Sequence, residues 1–351
     1  MTDKAKVALV QGGSRRESTA AALEAISGLV SLEGVRRVLI KPNFVSTGDQ
    51  AASTHVDAVR AVVDFVRARY DGPIVVAEGA AVSSTREGFR NFGYESLVEE
   101  YTAGAGLELL DLNADDTLPV RVYDRRLRPL TVRLARTAVE DGVYRISVGL
   151  PKTHDCVIVT LAIKNMVMGS LVNPKATQEG GGMPGGTRQL AHLVPMAVWR
   201  SQLAEWVKGT LLGSLGGSSK MAMHQGFAVI NLNLALVAAH VWPHLAVIDG
   251  WVGMEGDGPG AGDPVDWRVA LAGTDPLAVD VLTAHLMGFD PAQVGYLQYC
   301  RQMGLGVGTL DQIDVVGNIV LEQRSFRPHP TYQRQLQWRL KGAERYLQSA
   351  V

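Results

Sequence analysis

The sequence predicts an α/β fold, a mostly parallel sheet flanked by helices, and three observations carry that expectation. Short apolar runs alternate with longer stretches of helical period, the rhythm of strand–helix–strand units. At 351 residues and 46% hydrophobic content the chain can bury a substantial core. Polar and charged residues recur directly behind the apolar runs, where an open α/β sheet keeps its ligand crevice.

The elements follow in order. Strands are expected over 7–10, 35–40, 74–77, 107–112, 143–150, 245–248, 269–272 and 313–316. Helical patterns occupy 19–32, 55–70, 94–102, 157–168, 189–212, 227–241, 276–287 and 291–303. Ser53 or Thr54 is placed to cap the second helix, and Asp275-Pro276 gives another a cap and a first-turn proline. Val120, Val122, Leu130, Val132 and Leu134 alternate, so 119–134 reads as a β-hairpin insertion and the sheet need not be wholly parallel.

Glycines at 180–186 and a Gly/Ser segment at 213–220 mark loops around a Trp-containing helix, giving a helical, Gly-rich insertion at about 178–220 that brackets a lid. Residues 1–320 therefore read as one α/β domain. Residues 321–351 read as a basic helical tail with a helix over 332–347, whose Leu336, Trp338, Leu340 and Tyr346 would dock on the body or on a second subunit. Trp199, Trp206 and Trp338 are the candidates for a homodimer contact.

Composition removes several classes. Basic and acidic residues nearly cancel, 34 against 35, so no global field draws nucleic acid or an anionic membrane. No apolar run is long and uninterrupted enough to be a membrane span. Met1-Thr2-Asp3-Lys4 leads straight into the first strand without a basic-then-apolar leader, and a cytoplasmic location is expected. Cys156 and Cys300 are the only cysteines, too few for a four-thiolate cluster and unlike a disulfide framework, so an intrinsic iron–sulfur cluster is not expected.

The strand ends are unusually rich. Lys41-Pro42-Asn43, Glu78-Gly79, Lys152-Thr153-His154 and Asp249-Gly250 each follow an apolar run, and Thr160, Lys164 and Asn165 lie in the apolar segment after His154. Buried polar side chains are costly, so this recurrence points to a shared crevice. Taken singly, the residues have bland readings as turns, caps or strand ends. His55 at a helix start can cap or face the site, and His224 among methionines can be a core histidine.

Taken together, Lys41-Pro42-Asn43, Thr54-His55, Glu78-Gly79, Lys152-Thr153-His154 with Thr160 and Ile163-Lys164-Asn165, Asp249-Gly250 through Glu255-Gly256-Asp257-Gly258-Pro259, and Asp275-Pro276-Leu277-Ala278-Val279-Asp280 resemble the family called domain of unknown function 362. The likeness runs from about residue 5 to 310. It implies no settled activity; many members are associated with a C-terminal ferredoxin module, from which this chain departs because the four-cysteine run is missing.

The chemistry these residues suit is recognition of a small anion. Lys41, Lys152 and Lys164 supply cations, while Asn43, Thr153, Thr160, Asn165, Glu78 and His55 complete a substrate-binding set. His154, Lys152, Lys164 and Asp249 are the candidate catalytic acids and bases. Glu255, Asp249 and His224 are candidate ligands for a divalent metal. The expected function is an enzyme acting on an anionic, carboxylate-bearing small molecule by proton transfer, of isomerase, racemase or lyase type. Two alternatives stand beside it: a redox enzyme using an external cofactor or an iron–sulfur electron-transfer partner, and a non-catalytic anion- or metal-binding protein.

Overall fold

The computed structural model describes residues 4–81, 83–174, 217–318 and 322–348. The predicted helix over 189–212, the glycines at 180–186, Trp199 and Trp206 lie outside the described residues. The strands are β1 (Ala5–Gln11), β2 (Arg37–Lys41), β3 (Ile74–Glu78), β4 (Leu107–Asp111), β5 (Thr117–Tyr123), β6 (Pro129–Ala135), β7 (Val143–Gly149), β8 (Lys152–His154), β9 (Ile158–Thr160), β10 (Leu245–Glu255), β11 (Asp263–Gly273) and β12 (Ile313–Val316). Along the main sheet the order is β12-β1-β11-β10-β7-β2-β3-β4. Only β11 runs against its neighbours on that path, so the sheet is mostly parallel.

Helices α1 (Arg15–Ala25), α2 (Val56–Arg67), α3 (Thr85–Asn91) and α4 (Glu95–Glu100) cover one face, where Leu23, Val59, Phe89 and Leu97 pack with Ile40, Val76, Ile146 and Val247. On the other face lie α5 (Ala162–Ser170), α6 (Ser219–Ala222), α7 (Phe227–Ala238), α8 (Pro276–Leu286) and α9 (Gly295–Gln302). There Ile163, Leu234, Leu277 and Tyr296 share a core with Leu39, Val75 and Ile248. Neighbours such as Leu39 and Ile40 therefore point to opposite cores, as the two-residue period of a strand requires. Burial on both faces is why these strands read as unbroken apolar runs.

The chain reverses direction of growth between β2 and β7. Strands β3 and β4 extend to one side of β2, while β7 and β10 lie on the other. That junction is the topological switch point, where the carboxyl ends of neighbouring strands splay and leave a crevice.

Four local expectations are revised. The cap of α2 is His55, whose ring accepts the Asp57 N–H at 3.1 Å, while Thr54 Oγ1 is occupied by Asn43 N and Val148 O at 2.9 Å each. The helix expected from 157 starts at Ala162, because 158–160 form β9 and pair with β8. The β-branched run Val157-Ile158-Val159-Thr160 favours that extended pairing. Strands β10 and β11 make one long hairpin with a register shift between Gly250 and Val252, so Asp249 sits within a strand rather than at its end.

The tail is the fourth revision: it folds as two short helices, α10 (Tyr332–Gln335) and α11 (Glu344–Leu347), rather than one. It packs on its own body. Trp338 is 3% exposed and meets Tyr299 edge-on at 5.2 Å, and Tyr346 meets Tyr123 at 4.6 Å. The β5–β6 hairpin forms the expected separate two-stranded sheet. Among the described residues no helix is long and apolar enough to cross a membrane.

Candidate functional site

The floor of the crevice is a network of buried charges and amides at the switch point. Lys41, at the end of β2, donates from Nζ to Glu78 at the end of β3, to Asn165 Oδ1 at 2.9 Å and to Pro42 O at 2.8 Å. Glu78 also accepts the amides of Phe44 (2.8 Å) and Gly79 (3.0 Å). From α5, the Asn165 amide donates to Lys41 O (3.2 Å) and Ser147 Oγ (3.0 Å), stitching β2 to β7. Burial pulls the Lys41 pKa down, and the Glu78 carboxylate opposes that pull. Every cation and carboxylate here is satisfied, which is the condition for a buried polar network to rigidify a site.

Lys152 is equally tied. Its Nζ donates to Asn43 Oδ1 and, at 2.8 Å, to Ala52 O. Burial, then the nearby Lys164 charge, brings its pKa down to about 7. Thr153 Oγ1 donates to Gly256 O at 3.0 Å, fixing the β10–β11 loop over the strand ends.

Above this floor opens a cavity of about 320 Å³. Its wall includes Asn43 and Glu78 from the strand ends, His154, Asp155 and Thr160 from the β8–β9 hairpin, and Lys164 and Asn165 from α5. Lys220 and His224 close the far side. Lys41, Lys152 and Thr153 do not reach the wall; they support it from behind.

Two groups on that wall are distinctive. Lys164 is 5% exposed, and among the described residues its Nζ has neither a hydrogen bond nor an ion pair. Burial lowers its pKa to about 8, with Asp155 and Cys156 opposing. Thr160 Oγ1 is likewise buried without a partner among the described residues. Buried polar atoms are normally paired, so orphaned ones facing a cavity are those a ligand satisfies.

His154 Nδ1 lies 2.9 Å from Asp155 Oδ1 and 3.0 Å from the Cys156 N–H. The two contacts demand opposite roles of one nitrogen. A bare Nδ1 would set two lone pairs 2.9 Å apart, so we assign the proton to Nδ1, donated to the carboxylate at the expense of the bond from the Cys156 N–H, and Nε2 keeps its lone pair. Burial, then the Lys164 charge, lowers the His154 pKa to about 3, against the pull of Asp155, and the imidazole is neutral. His224 Nδ1 faces Lys220 O at 3.2 Å and must donate to it.

Lys220, in a segment that read only as a Gly/Ser loop, was missed. Its Nζ donates to Met168 O (2.8 Å), Gly169 O (3.4 Å) and Leu171 O, covering the open carbonyls at the end of α5. Burial takes its pKa down to about 7, opposed by Glu78 and aided by Lys41. Asp280 escaped notice as a site-former too: its two oxygens accept Ala162 N (2.9 Å) and Ile163 N (3.0 Å) and so cap α5. Only the spacing of cations to strand ends was readable, and neither residue lies at one.

Asp249 and His55 stand apart from the wall. Asp249 is paired with Arg15 at 3.0 Å at the start of α1, and burial raises its pKa while Arg15 opposes. His55 has its pKa lowered by burial and then by Arg15. Glu255 accepts the Arg327 amide at 2.9 Å, and among the described residues Glu255, Asp249 and His224 do not form a group of metal-ligand atoms. Among the described residues the ligand-type atoms of His154, Asp155 and Cys156 lie within 4.8 Å of one another. They do not suit a divalent ion: three consecutive residues offer one side of a coordination sphere, Nδ1 holds a proton, and the Lys164 charge acts on the same group.

Comparison with known proteins adds a family and distant relatives. The family model described as Domain of unknown function (DUF362) matches residues 38–285. The thylakoid-associated protein sll1697 of Synechocystis sp. (strain ATCC 27184 / PCC 6803 / Kazusa) is 24% identical over 301 residues, covering 84% of this chain and 77% of that protein. A solved structure from Thermotoga maritima is similar with a TM-score of 0.37 and 10% identity, over 70% of this chain and only 52% of that one.

Proposed function

The chain belongs to the DUF362 family, and from that premise we propose that it is an enzyme acting on a small anionic, carboxylate-bearing molecule by acid/base proton transfer, of isomerase, racemase or lyase type. One observation carries the reading: the Lys164 ammonium on the wall of a cavity of about 320 Å³, without a partner among the described residues, with the Thr160 hydroxyl likewise unpaired on the same wall. Burial pushes both Lys164 and His154 on that wall down, to about 8 and about 3, so at neutral pH the amine is mostly protonated and the imidazole is neutral, a donor beside an acceptor. Lys164 is the acid, and His154 Nε2, with the ring held by Asp155, is the base. A bound carboxylate offsets the Lys164 charge that depresses His154, so the base strengthens when substrate is present.

The test is solvent-deuterium exchange across a panel of small acids, read at the carbon next to the carboxylate in hydroxy and amino acids and at the carbon next to the carbonyl in 2-oxo acids. Exchange in wild type that is lost in His154→Ala and Lys164→Met supports the reading; its absence across the panel defeats it. The weak basicity of His154 favours one second reading, a binding protein that grips the anion without turnover. Calorimetric binding unaffected by His154→Ala, with no exchange, would establish that instead. We place the protein in the cytoplasm; the name of the Synechocystis relative makes thylakoid association the outcome that cell fractionation must separate.

A further inference from the structure

Four buried lysines surround the cavity and its floor, and three are held by protein oxygens. Lys41 is bound by Glu78, Asn165 and Pro42 O, Lys152 by Asn43 and Ala52 O, and Lys220 by three carbonyls of the α5 terminus. Lys164 alone among these four has no such hold among the described residues, and it opens on the cavity. A lysine kept for its charge is best served by carboxylate or carbonyl partners, because they stabilise the ammonium against desolvation. A buried amine left without them on a cavity wall is poised as a nucleophile.

We propose that Lys164 forms an imine with the carbonyl carbon of a 2-oxo acid, so that the substrate class of the proton-transfer reading is a carboxylate-bearing carbonyl compound. This rests on that reading for the cavity and for His154 as the base, and gives Lys164 the covalent role in place of the acid's. The step balances within the site: the Nζ lone pair bonds to the carbonyl carbon, the C–O bond breaks, and the carbonyl oxygen leaves as water with the two protons of the neutral amine. No oxidant or reductant is consumed.

The pocket supplies what such a step needs. Thr160 Oγ1 offers an unspent hydroxyl to the tetrahedral carbinolamine, and the neutral His154 ring can carry protons to the departing oxygen. The charge of Lys220, on the wall, favours the substrate carboxylate. Once formed, the imine withdraws electrons from the neighbouring carbon and acidifies its proton for His154 Nε2, which joins the two halves of the mechanism. The lowered Lys164 pKa, about 8, leaves a useful fraction of free amine at neutral pH.

The experiment is borohydride trapping of the full-length protein with pyruvate and with 2-oxobutanoate, read by intact mass and peptide mapping. A single reduced adduct on the peptide bearing Lys164, lost in Lys164→Arg, is the expected result. No adduct, or adducts spread over surface lysines and unchanged in Lys164→Arg, overturns the imine. Wild-type mapping alone decides this if the variant fails to fold. Deuterium exchange persisting without an adduct refutes the imine and leaves proton transfer standing, whereas an adduct without exchange refutes proton transfer and leaves the imine.

Discussion

Gly169 and Lys41 occupy space that admits no further carbon: a Cβ on Gly169 would collide with Lys41 Cε and Nζ and lie 2.6 Å from Glu78 Oε2. The last turn of α5 thus presses its backbone onto the Lys41–Glu78 ion pair. Gly169→Ala gains about 1 kcal/mol of helix propensity, yet it should lose roughly 3–5 kcal/mol by forcing apart a buried pair. Chemical denaturation should show a net loss. A neutral or stabilised variant would mean that Lys41 has room to move and that the floor is not rigid.

The buried lysines set a pH dependence of unusual sign. Lys152, Lys164 and Lys220 have folded-state pKa values of about 7, 8 and 7, below the usual lysine range. Between pH about 7 and that range the unfolded chain holds more protons than the folded one, so their contribution to stability rises with pH; below it, the full cost of burying charge is carried. Lys220→Met should flatten the rise of the denaturation midpoint above pH 7. An unaltered slope would show that Lys220 titrates normally.

How much of this was legible follows from where the physics is local. Strand ends announce themselves because an apolar run must stop, so Lys41, Glu78, Lys152 and His154 were readable as crevice residues. The split between wall and support was not, since it depends on which cation meets a carbonyl from a distant segment, as Lys152 meets Ala52. Asp249 misled because a long antiparallel hairpin carries the strand past it to Glu255, and a Gly after an apolar run resembles a strand end. The 158–160 strand was hidden by an apolar pattern that fits a buried helix equally well.

Asp280 caps α5 with both oxygens on the Ala162 and Ile163 amides. Burial outweighs those bonds and raises its pKa to about 8. Above the normal carboxylate range and up to about pH 8 the folded state keeps a proton the unfolded state has lost, so this group's contribution falls as pH rises. Asp280→Asn turns an NH₂ on one amide and should cost roughly 1–3 kcal/mol. It should also abolish that falling segment in a pH series of denaturant midpoints; a segment that survives assigns the proton elsewhere.

The tail braces the β8–β9 turn. Gln335 Nε2 donates to His154 O at 2.8 Å and its Oε1 accepts the Ile158 N–H, while Thr331 Oγ1 donates to Asp155 O at 2.7 Å. Both ends of the turn between β8 and β9 are therefore held by residues far along the chain. Gln335→Leu orphans two backbone groups at roughly 1–3 kcal/mol each. A merely structural role would stop there. If the brace keeps water from the imidazole, whose pKa of about 3 comes chiefly from burial, loosening it must carry the His154 titration upward toward the ordinary histidine range. Imidazole chemical shifts followed against pH should show that rise in Gln335→Leu, and an unchanged titration in a destabilised variant would reduce the tail to packing alone.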